Sequence, residues 1–253
     1  MESNQWTSTS RIHTSAMKFD VQIIKEFLPK EKVIIVNDKL TKFNESYYRQ
    51  KMLDVSKENK VDFVFSIDCD ELLTSNITKN FNNFIKIYNE VDLQLYWYNC
   101  VNDTIKEYRS DPQYKNNYRS FILPLNKIGK LNLNDWKYHT PRTPFVNLRK
   151  SATRDFGVLH LQAINKKFYA IKQLWYKHFE FVNYKHSVDF INSRYDPVVN
   201  NLIFNEEKIS NDLIEGIEFD SKVFDGLEIE KGYLDFIHKN YNESLVTFGK
   251  EYL

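Results

Sequence analysis

The chain of 253 residues is long enough to bury most of its apolar surface in one large domain. Apolar residues make up 42% of it, aromatic residues 15% and charged residues 27%, which excludes a disordered or collagen-like protein. Its 35 basic and 34 acidic residues nearly cancel, so the overall charge does not indicate nucleic acid or an anionic membrane as a partner, although a local basic patch is not excluded.

The first half of the sequence alternates between strand and helix patterns. Continuous β-branched or apolar runs predict buried strands, and apolar residues spaced three or four apart predict the helices between them. In chain order, the predicted elements are a short strand at 5–10, a helix at 15–28, a strand at 32–38, a helix at 45–59 and a strand at 61–68. This alternation predicts an α/β sheet whose strands are joined by right-handed crossovers.

The second half is expected to complete the sheet and to end in helices. A helix predicted at 76–90 is followed by strands at 91–100, 120–125, 145–151 and 156–163, and then by one or two aromatic-rich helices at 165–195. The stripe of Phe168, Trp175, Tyr176 and Phe179 has helical spacing, which predicts core packing. We expect a main domain at 1–184 and a helical C-terminal extension at 185–253 that packs on the same domain.

The two cysteines, Cys69 and Cys100, are too few for a disulfide framework. Reduced thiols are therefore expected, as in a reducing compartment. The N-terminus lacks a basic segment followed by an apolar run, and no segment approaches the ~20 apolar residues of a membrane span. We expect a cytoplasmic protein that is at most peripheral to a membrane.

The strand predicted at 61–68 ends in three acids, in the sequence VDFVFSIDCDELL. Ligands of open α/β sheets bind beyond the carboxyl ends of the strands, so Asp68, Asp70 and Glu71 are expected to lie in a cleft. If this segment stays extended, Asp68 and Asp70 point the same way and can face one divalent cation. An acidic turn that caps the following helix is the other interpretation of these residues.

The segment YYRQKMLDVSKENKVDFVFSIDCDELL resembles the stretch through the DxD motif of GT-A fold glycosyltransferases, especially family-2-like enzymes. The later segment GVLHLQAINKKFYAIKQLWYKH is similar to the stretch of those enzymes in which a histidine on a strand precedes a helix. The resemblance covers residues 6–184 and is carried by the order of its parts more than by one motif. It implies a GT-A fold, with a Rossmann-like mixed central sheet flanked by helices. It also implies a hexosyl- or pentosyltransferase that moves a sugar from a nucleoside diphosphate to a hydroxyl acceptor, such as a glycan or a lipid-linked glycan.

Carried over residue by residue, the resemblance implies a metal site and a donor site. Asp68, Asp70 and His160 would hold Mn²⁺ or Mg²⁺ against the diphosphate of the donor, for which a UDP-sugar is favoured. The implied donor-binding residues are Thr9, Arg11, Asp38, Arg49 and Asp68.

Three of these residues have structural interpretations as well. A plain turn acid would explain Asp38, a solvated helix residue would explain Arg49, and a core or edge histidine would explain His160. The sequence does not decide between these interpretations and the functional ones.

The catalytic base is the part that departs from the family pattern. An inverting transferase needs a carboxylate that takes the proton of the acceptor hydroxyl. The family usually supplies it in an acidic pair before the histidine, and no such pair occurs here. The candidates are Asp135 in LNDWKYH and, alternatively, Asp155 in TRDFG. Inversion itself is favoured only by the resemblance.

The neighbours of Asp135 suggest an acceptor or phosphate loop. Trp136 and His139 would form a platform for the acceptor sugar, and Arg142 lies between prolines in a loop that suits the donor phosphates. A loop acid near a core tryptophan and a rigid connector are the alternative interpretations of the same segment.

Other functions are compatible with parts of the pattern. A phosphohydrolase of the haloacid dehalogenase type would use Asp68 as its nucleophile, but Leu72 stands where such motifs have Thr or Val. A catalytically inactive GT-A-like binding protein is the non-enzymatic alternative, and a DNA base is an alternative acceptor. The sequence leaves open the sugar and base of the donor, the acceptor and the oligomeric state.

Overall fold

Strands and helices alternate through the structure of the protein, a computed structural model that describes residues 45–68, 70–88, 91–125, 149–151, 153–199, 202–220 and 228–253. The strands are Phe63–Phe65 (β1), Glu71–Leu73 (β2), Asp92–Asn99 (β3), Glu107–Arg109 (β4), Tyr118–Pro124 (β5), Arg149–Ser151 (β6), Gly157–His160 (β7) and Glu206–Lys208 (β8). The α-helices are Glu45–Glu58 (α1), Ser75–Lys79 (α2), Phe81–Ile87 (α3), Lys166–Tyr184 (α4), Val188–Val199 (α5), Asn211–Ile214 (α6) and Glu228–Lys239 (α7). Short 3₁₀ helices occur at Pro112–Tyr114, Glu243–Leu245 and Lys250–Tyr252.

Six of the strands form one mixed sheet. Its order is β1-β5-β3-β7-β2, and β6 pairs with the first half of β3. Strands β6 and β7 both run parallel to β3, while β5 is antiparallel to β3 and to β1. The fold is therefore α/β with a mixed sheet, as the sequence predicts at this level, and the two-stranded β4–β8 ribbon lies outside the sheet.

Strand β3 is buried on both faces, and leucine and aromatic residues supply apolar side chains to each of them. One face carries Leu93 and Leu95, which pack in a cluster with Ile77 of α2. The other face carries Tyr96 and Tyr98, which pack with the segments around β4 and α6. Packing on both faces of the sheet thus holds the carboxyl end of β3 in place.

The carboxyl ends of three strands meet at one edge of the sheet. Since β1 and β3 are each antiparallel to β5, they run in the same direction, and β7 is parallel to β3. Asp68 follows β1, Asn99 ends β3 and His160 ends β7, with Asn99 and His160 in register. The predicted acidic strand end therefore lies at the same edge as the predicted histidine.

The helix predicted from 165 onwards is divided into α4 and α5, which are separated at Lys185, a residue with a left-handed φ of 58°. Three aromatic residues of the predicted stripe, Phe168, Trp175 and Phe179, are buried in a cluster with residues of α7, and Tyr176 is partly buried against it. The stripe is core packing, as predicted. The same cluster contains side chains from both sides of residue 184, so the C-terminal segments pack directly on α4.

Three local features differ from the prediction. The helix predicted at 76–90 is two helices, because Asn80 (φ −123°, ψ 27°) leaves the helical conformation. Strand β2 and the β4–β8 ribbon have no strand pattern in the sequence, and each is only three residues long. Within the described ranges, no helix is both long and apolar enough to cross a membrane.

Candidate functional site

The acids after β1 form a turn that is held by Glu71. The backbone N–H of Asp68 donates to Glu71 Oε2 at 2.9 Å, and the N–H of Glu71 donates to the carbonyl oxygen of Asp68 at 3.2 Å. The indole N–H of Trp97 donates to Glu71 Oε1 at 2.8 Å. Glu71 is buried, so both oxygens of its carboxylate serve to tie the turn to strand β3.

From the sequence, Asp68 and Asp70 are expected to point the same way if their segment stays extended, but the segment forms a turn. Asp68 is directed towards Arg49 of α1, whose Nη2 lies 3.4 Å from Asp68 Oδ1 and whose Nη1 donates to Ser66 Oγ at 3.0 Å. Asp70 is directed towards His160 on the other side. The two aspartates therefore face different basic side chains, Arg49 and His160.

Asp70 lies between two basic side chains. Its Oδ2 is 3.6 Å from His160 Nε2 and 3.9 Å from Lys172 Nζ on α4. Burial by itself raises the pKa of this carboxyl, but the imidazole of His160 and the charge of Lys172 outweigh burial and hold the pKa of Asp70 well below its usual range. Asp70 is therefore a carboxylate throughout the physiological pH range.

His160 is held in one orientation by the end of β3. Its Nδ1 lies 2.7 Å from Asn99 Oδ1, and its ring packs on the Trp97 indole with 4.1 Å between ring centroids. An amide oxygen only accepts hydrogen bonds, so Nδ1 carries the proton and Nε2 faces Asp70. Only 5% of His160 is exposed, so the imidazole is enclosed by the residues that orient it.

The donor set suits a divalent cation in part. A metal-binding histidine commonly donates its other ring N–H to an oxygen acceptor, as His160 does to Asn99. Asp70 offers a carboxylate next to Nε2. Over the described ranges, no group of three or more His, Cys, Asp or Glu side chains is arranged to hold a metal, because Asp68 turns to Arg49. The described residues thus provide two protein ligands for a cation, Asp70 and His160. This number is compatible with Mg²⁺-like ions, which often bind one or two carboxylates and complete their coordination shell with substrate phosphates and water.

A cleft of about 400 Å³ adjoins this pair of residues. Trp97 and Asn99 line it at the end of β3, and both contact His160. Residues of α4 and α5 and Gln162 after β7 also line it. A molecule in this cleft therefore lies beside the residues that contact His160.

The structure separates Asp155 from the other predicted site residues. Asp155 precedes β7, whereas His160 ends it. Since each strand residue advances the chain by about 3.3 Å, the two residues lie at opposite ends of β7. Asp155 Oδ2 instead accepts a hydrogen bond from Thr153 in an exposed turn. The alternative base of the sequence analysis is thus not at the site.

The remaining predicted site residues lie outside the described part of the chain. They are Thr9, Arg11, Asp38, Asp135, Trp136, His139 and Arg142. Their implied roles stay predictions.

Three residues of the site had no motif to identify them. Asn99 and Trp97 belong to a strand whose sequence indicates only burial, and Lys172 is one of several polar residues on its helix. The available signal was that Asn99 lies near the end of a predicted strand, because the carboxyl ends of parallel strands meet at one sheet edge.

Comparisons with known proteins add no relative. No protein-family model matches the chain, and no curated protein or solved structure matches it.

Proposed function

We propose that the protein is a metal-dependent glycosyltransferase that moves a sugar from a nucleoside diphosphate to a hydroxyl acceptor. The observation that carries the proposal is the pair formed by Asp70 and His160 at the carboxyl edge of the sheet. The carboxylate and Nε2 face each other at 3.6 Å, and Asn99 holds the imidazole from behind. Two further observations support it, namely the mixed α/β sheet and the cleft beside the pair.

Each basic side chain near the acids has a place in this proposal. Asp70 and His160 would hold Mn²⁺ or Mg²⁺, which supplies Lewis-acid stabilisation of the charge on the departing diphosphate. Lys172 and Arg49 lie on either side of the acids and would contact phosphate oxygens. Asp68 is 39% exposed on its side chain and would face the donor with Arg49.

The assignment of the other substrate groups rests on the resemblance. Thr9, Arg11 and Asp38 would contact the nucleoside, and Asp135 would take the proton of the acceptor hydroxyl as it attacks the anomeric carbon. The GT-A fold in its specific sense is part of the same proposal.

Calorimetric titration of the full chain with UDP, GDP and dTDP, in the presence and absence of Mn²⁺, tests the metal and donor site. We expect one nucleotide to bind more tightly with Mn²⁺. Asp70→Ala should lower that Mn²⁺-dependent affinity by more than about 10- to 100-fold, the range for loss of a residue that only supports a metal ligand. Asp235→Ala, at an exposed aspartate of α7, is the matched control and should bind as the wild type does.

Activity assays separate the proposal from its rivals. A transferase releases nucleoside diphosphate from its nucleotide sugar, whereas a phosphohydrolase releases inorganic phosphate from simple phosphoesters. Mn²⁺-dependent binding without release of nucleoside diphosphate from any donor indicates an inactive binding protein. Nucleotide binding that is the same with and without Mn²⁺, or unchanged in Asp70→Ala, overturns the proposal.

A further inference from the structure

The cleft beside His160 is lined by basic side chains. Three arginines line it, Arg109, Arg119 and Arg194, and none of the described lining residues is acidic. Arg109 is buried, forms an ion pair with Asp111 at 2.8 Å and donates to the carbonyl of Val198, so it supports the wall. The other two arginines give the cleft its positive character.

Arg119 and Arg194 line the cleft from two different elements, β5 and α5. Arg119 is exposed on β5, and its Cζ lies 5.3 Å from the centroid of the Trp97 ring. Arg194 on α5 has a side chain that is 42% exposed, and its Nη1 lies 3.3 Å from the buried carboxylate of Glu180. Glu180 also accepts a hydrogen bond from Tyr195, so its charge is shared among several donors. Guanidinium groups that flank an accessible cleft suit the planar oxygens of a carboxylate or phosphate.

The cleft also contains a buried amide that points into it. Gln173 on α4 is only 5% exposed and makes no hydrogen bond with any residue of the described ranges. Gln162, at the end of β7, is half-buried and has no such bond within those ranges either. Each of these two amide groups offers a donor and an acceptor to a molecule in the cleft, which suits a polar ligand with both donors and acceptors. Hydroxyl groups have this property.

Aromatic surfaces complete the lining. Trp97 and Tyr176 both face the cleft, and each is only partly buried. Flat apolar rings beside hydrogen-bonding amides are typical of ligand pockets, and 400 Å³ lies within the usual range of about 300–1,000 Å³. A ring-shaped polyhydroxylated ligand therefore suits both the size and the chemistry of the cleft.

We propose that this cleft binds a sugar that carries a carboxylate or phosphate, with Arg119 and Arg194 on the acidic group and Gln173 and Gln162 on the hydroxyls. In identifying this sugar as the acceptor, the inference rests on the proposed function. Asn99 and Trp97 line the cleft and both contact His160, so a sugar bound in the cleft would lie next to the proposed metal site. The acceptor hydroxyl would then approach the donor from the side of His160.

Titrations of the full chain with methyl β-glucuronide, glucose 6-phosphate and methyl β-glucoside, without nucleotide or metal, test the inference. We expect the glucuronide or the sugar phosphate to bind at least tenfold more tightly than the neutral glucoside. The stronger of the two acidic ligands identifies carboxylate or phosphate as the natural group. Equal affinity for all three sugars, or no binding of any of them, overturns the inference.

Two arginine variants provide a matched comparison. Arg119 and Arg154 are both exposed residues whose guanidinium lies over an aromatic ring, but only Arg119 lines the cleft. Arg119→Gln should weaken binding of the acidic sugar by about 10- to 100-fold and leave the neutral sugar unchanged. Arg154→Gln should change neither. An equal effect of the two variants contradicts the inference.

The calorimetric experiments distinguish this inference from the proposed function. If an acidic sugar binds but no nucleotide shows Mn²⁺-dependent binding, the sugar site in the cleft is supported and the transferase proposal is rejected. If a nucleotide binds with Mn²⁺ but no acidic sugar binds, the transferase proposal is supported and the sugar site is rejected. Gln173→Leu fills the same volume without an amide, and it should weaken binding of all sugars that bind.

Discussion

Replacing Glu71 with glutamine tests whether this buried carboxylate holds the acidic turn. The wild-type side chain accepts one hydrogen bond from the backbone N–H of Asp68 at 2.9 Å and one from the Trp97 indole at 2.8 Å. The glutamine side chain has one acceptor oxygen, which can serve only one of the two donors at this position. Its NH₂ group would face the other donor, and two donors cannot form a hydrogen bond with each other. One charge-assisted hydrogen bond is therefore lost and one buried donor is left without a partner, which costs about 2 kcal/mol.

Urea and thermal unfolding measure this loss. In a chain of this size, about 2 kcal/mol corresponds to a Tm lowered by about 4–8 °C. Glu218→Gln, at an exposed glutamate, is the control and should unfold as the wild type does. Trp97→Phe removes the indole donor, so the double variant with Glu71→Gln should lose less than the sum of the two single variants. Unchanged stability in Glu71→Gln, or strict additivity of the pair, refutes the role given to Glu71.

Three further predictions concern Asp70, Glu180 and Cys100. The pKa of Asp70 is lowered in the folded state, so its carboxylate stabilises the fold above the unfolded pKa of about 3.9, and this stabilisation is lost as the pH falls further. The difference in unfolding free energy between wild type and Asp70→Asn should therefore be largest at neutral pH and shrink in acid. Tyr195→Phe removes a 2.8 Å hydrogen bond to the fully buried Glu180 and should cost about 1–3 kcal/mol in urea unfolding. Burial raises the pKa of the Cys100 thiol, so iodoacetamide at pH 8 should alkylate Cys100 only after unfolding, as peptide mass spectrometry can show.

Each of these predictions has a contrary outcome. A stability difference for Asp70→Asn that is constant from neutral to acidic pH contradicts the proposed ion pair. The exposed Tyr241 supplies the control Tyr241→Phe, and an equal effect of both tyrosine variants contradicts the role of Glu180. Alkylation of Cys100 in the folded protein, at the rate of a free thiol, contradicts its burial.

The elements that the sequence predicts best are those with long, uniform patterns. The apolar run at 91–100 is strand β3, and the helix predicted at 45–59 is α1 at Glu45–Glu58. Strand β2 was not predictable, because its residues Glu71–Leu73 form a strand only by pairing with β7 from the second half of the chain. Pairing between distant segments is decided by tertiary packing, which local patterns do not contain.

In the candidate site, too, some features could be predicted from the sequence and others are decided by tertiary packing. Asp68 and Asp70 were identifiable because acids at the end of an apolar strand are unusual, whereas His160 was proposed only through the resemblance to a segment in which a histidine on a strand precedes a helix. Their directions were not predictable, because the turn at Glu71 sends Asp68 to Arg49 and Asp70 to His160. Gln173, too, is an ordinary helix residue in the sequence, and only the packing of α4 directs it into the cleft.

Trp97 joins the three parts of the site in one side chain. Its indole N–H fixes Glu71 and so the acidic turn, its ring packs on His160, and its outer surface lines the cleft beneath Arg119. A ligand that displaces Arg119 or presses on the indole would therefore act on the same residue that positions the turn and the imidazole. Because the ring is held by contacts on several sides, it has little freedom to move independently of them. Binding in the cleft and binding at Asp70 are thus expected to be coupled through Trp97, and linkage makes such coupling equal in both directions.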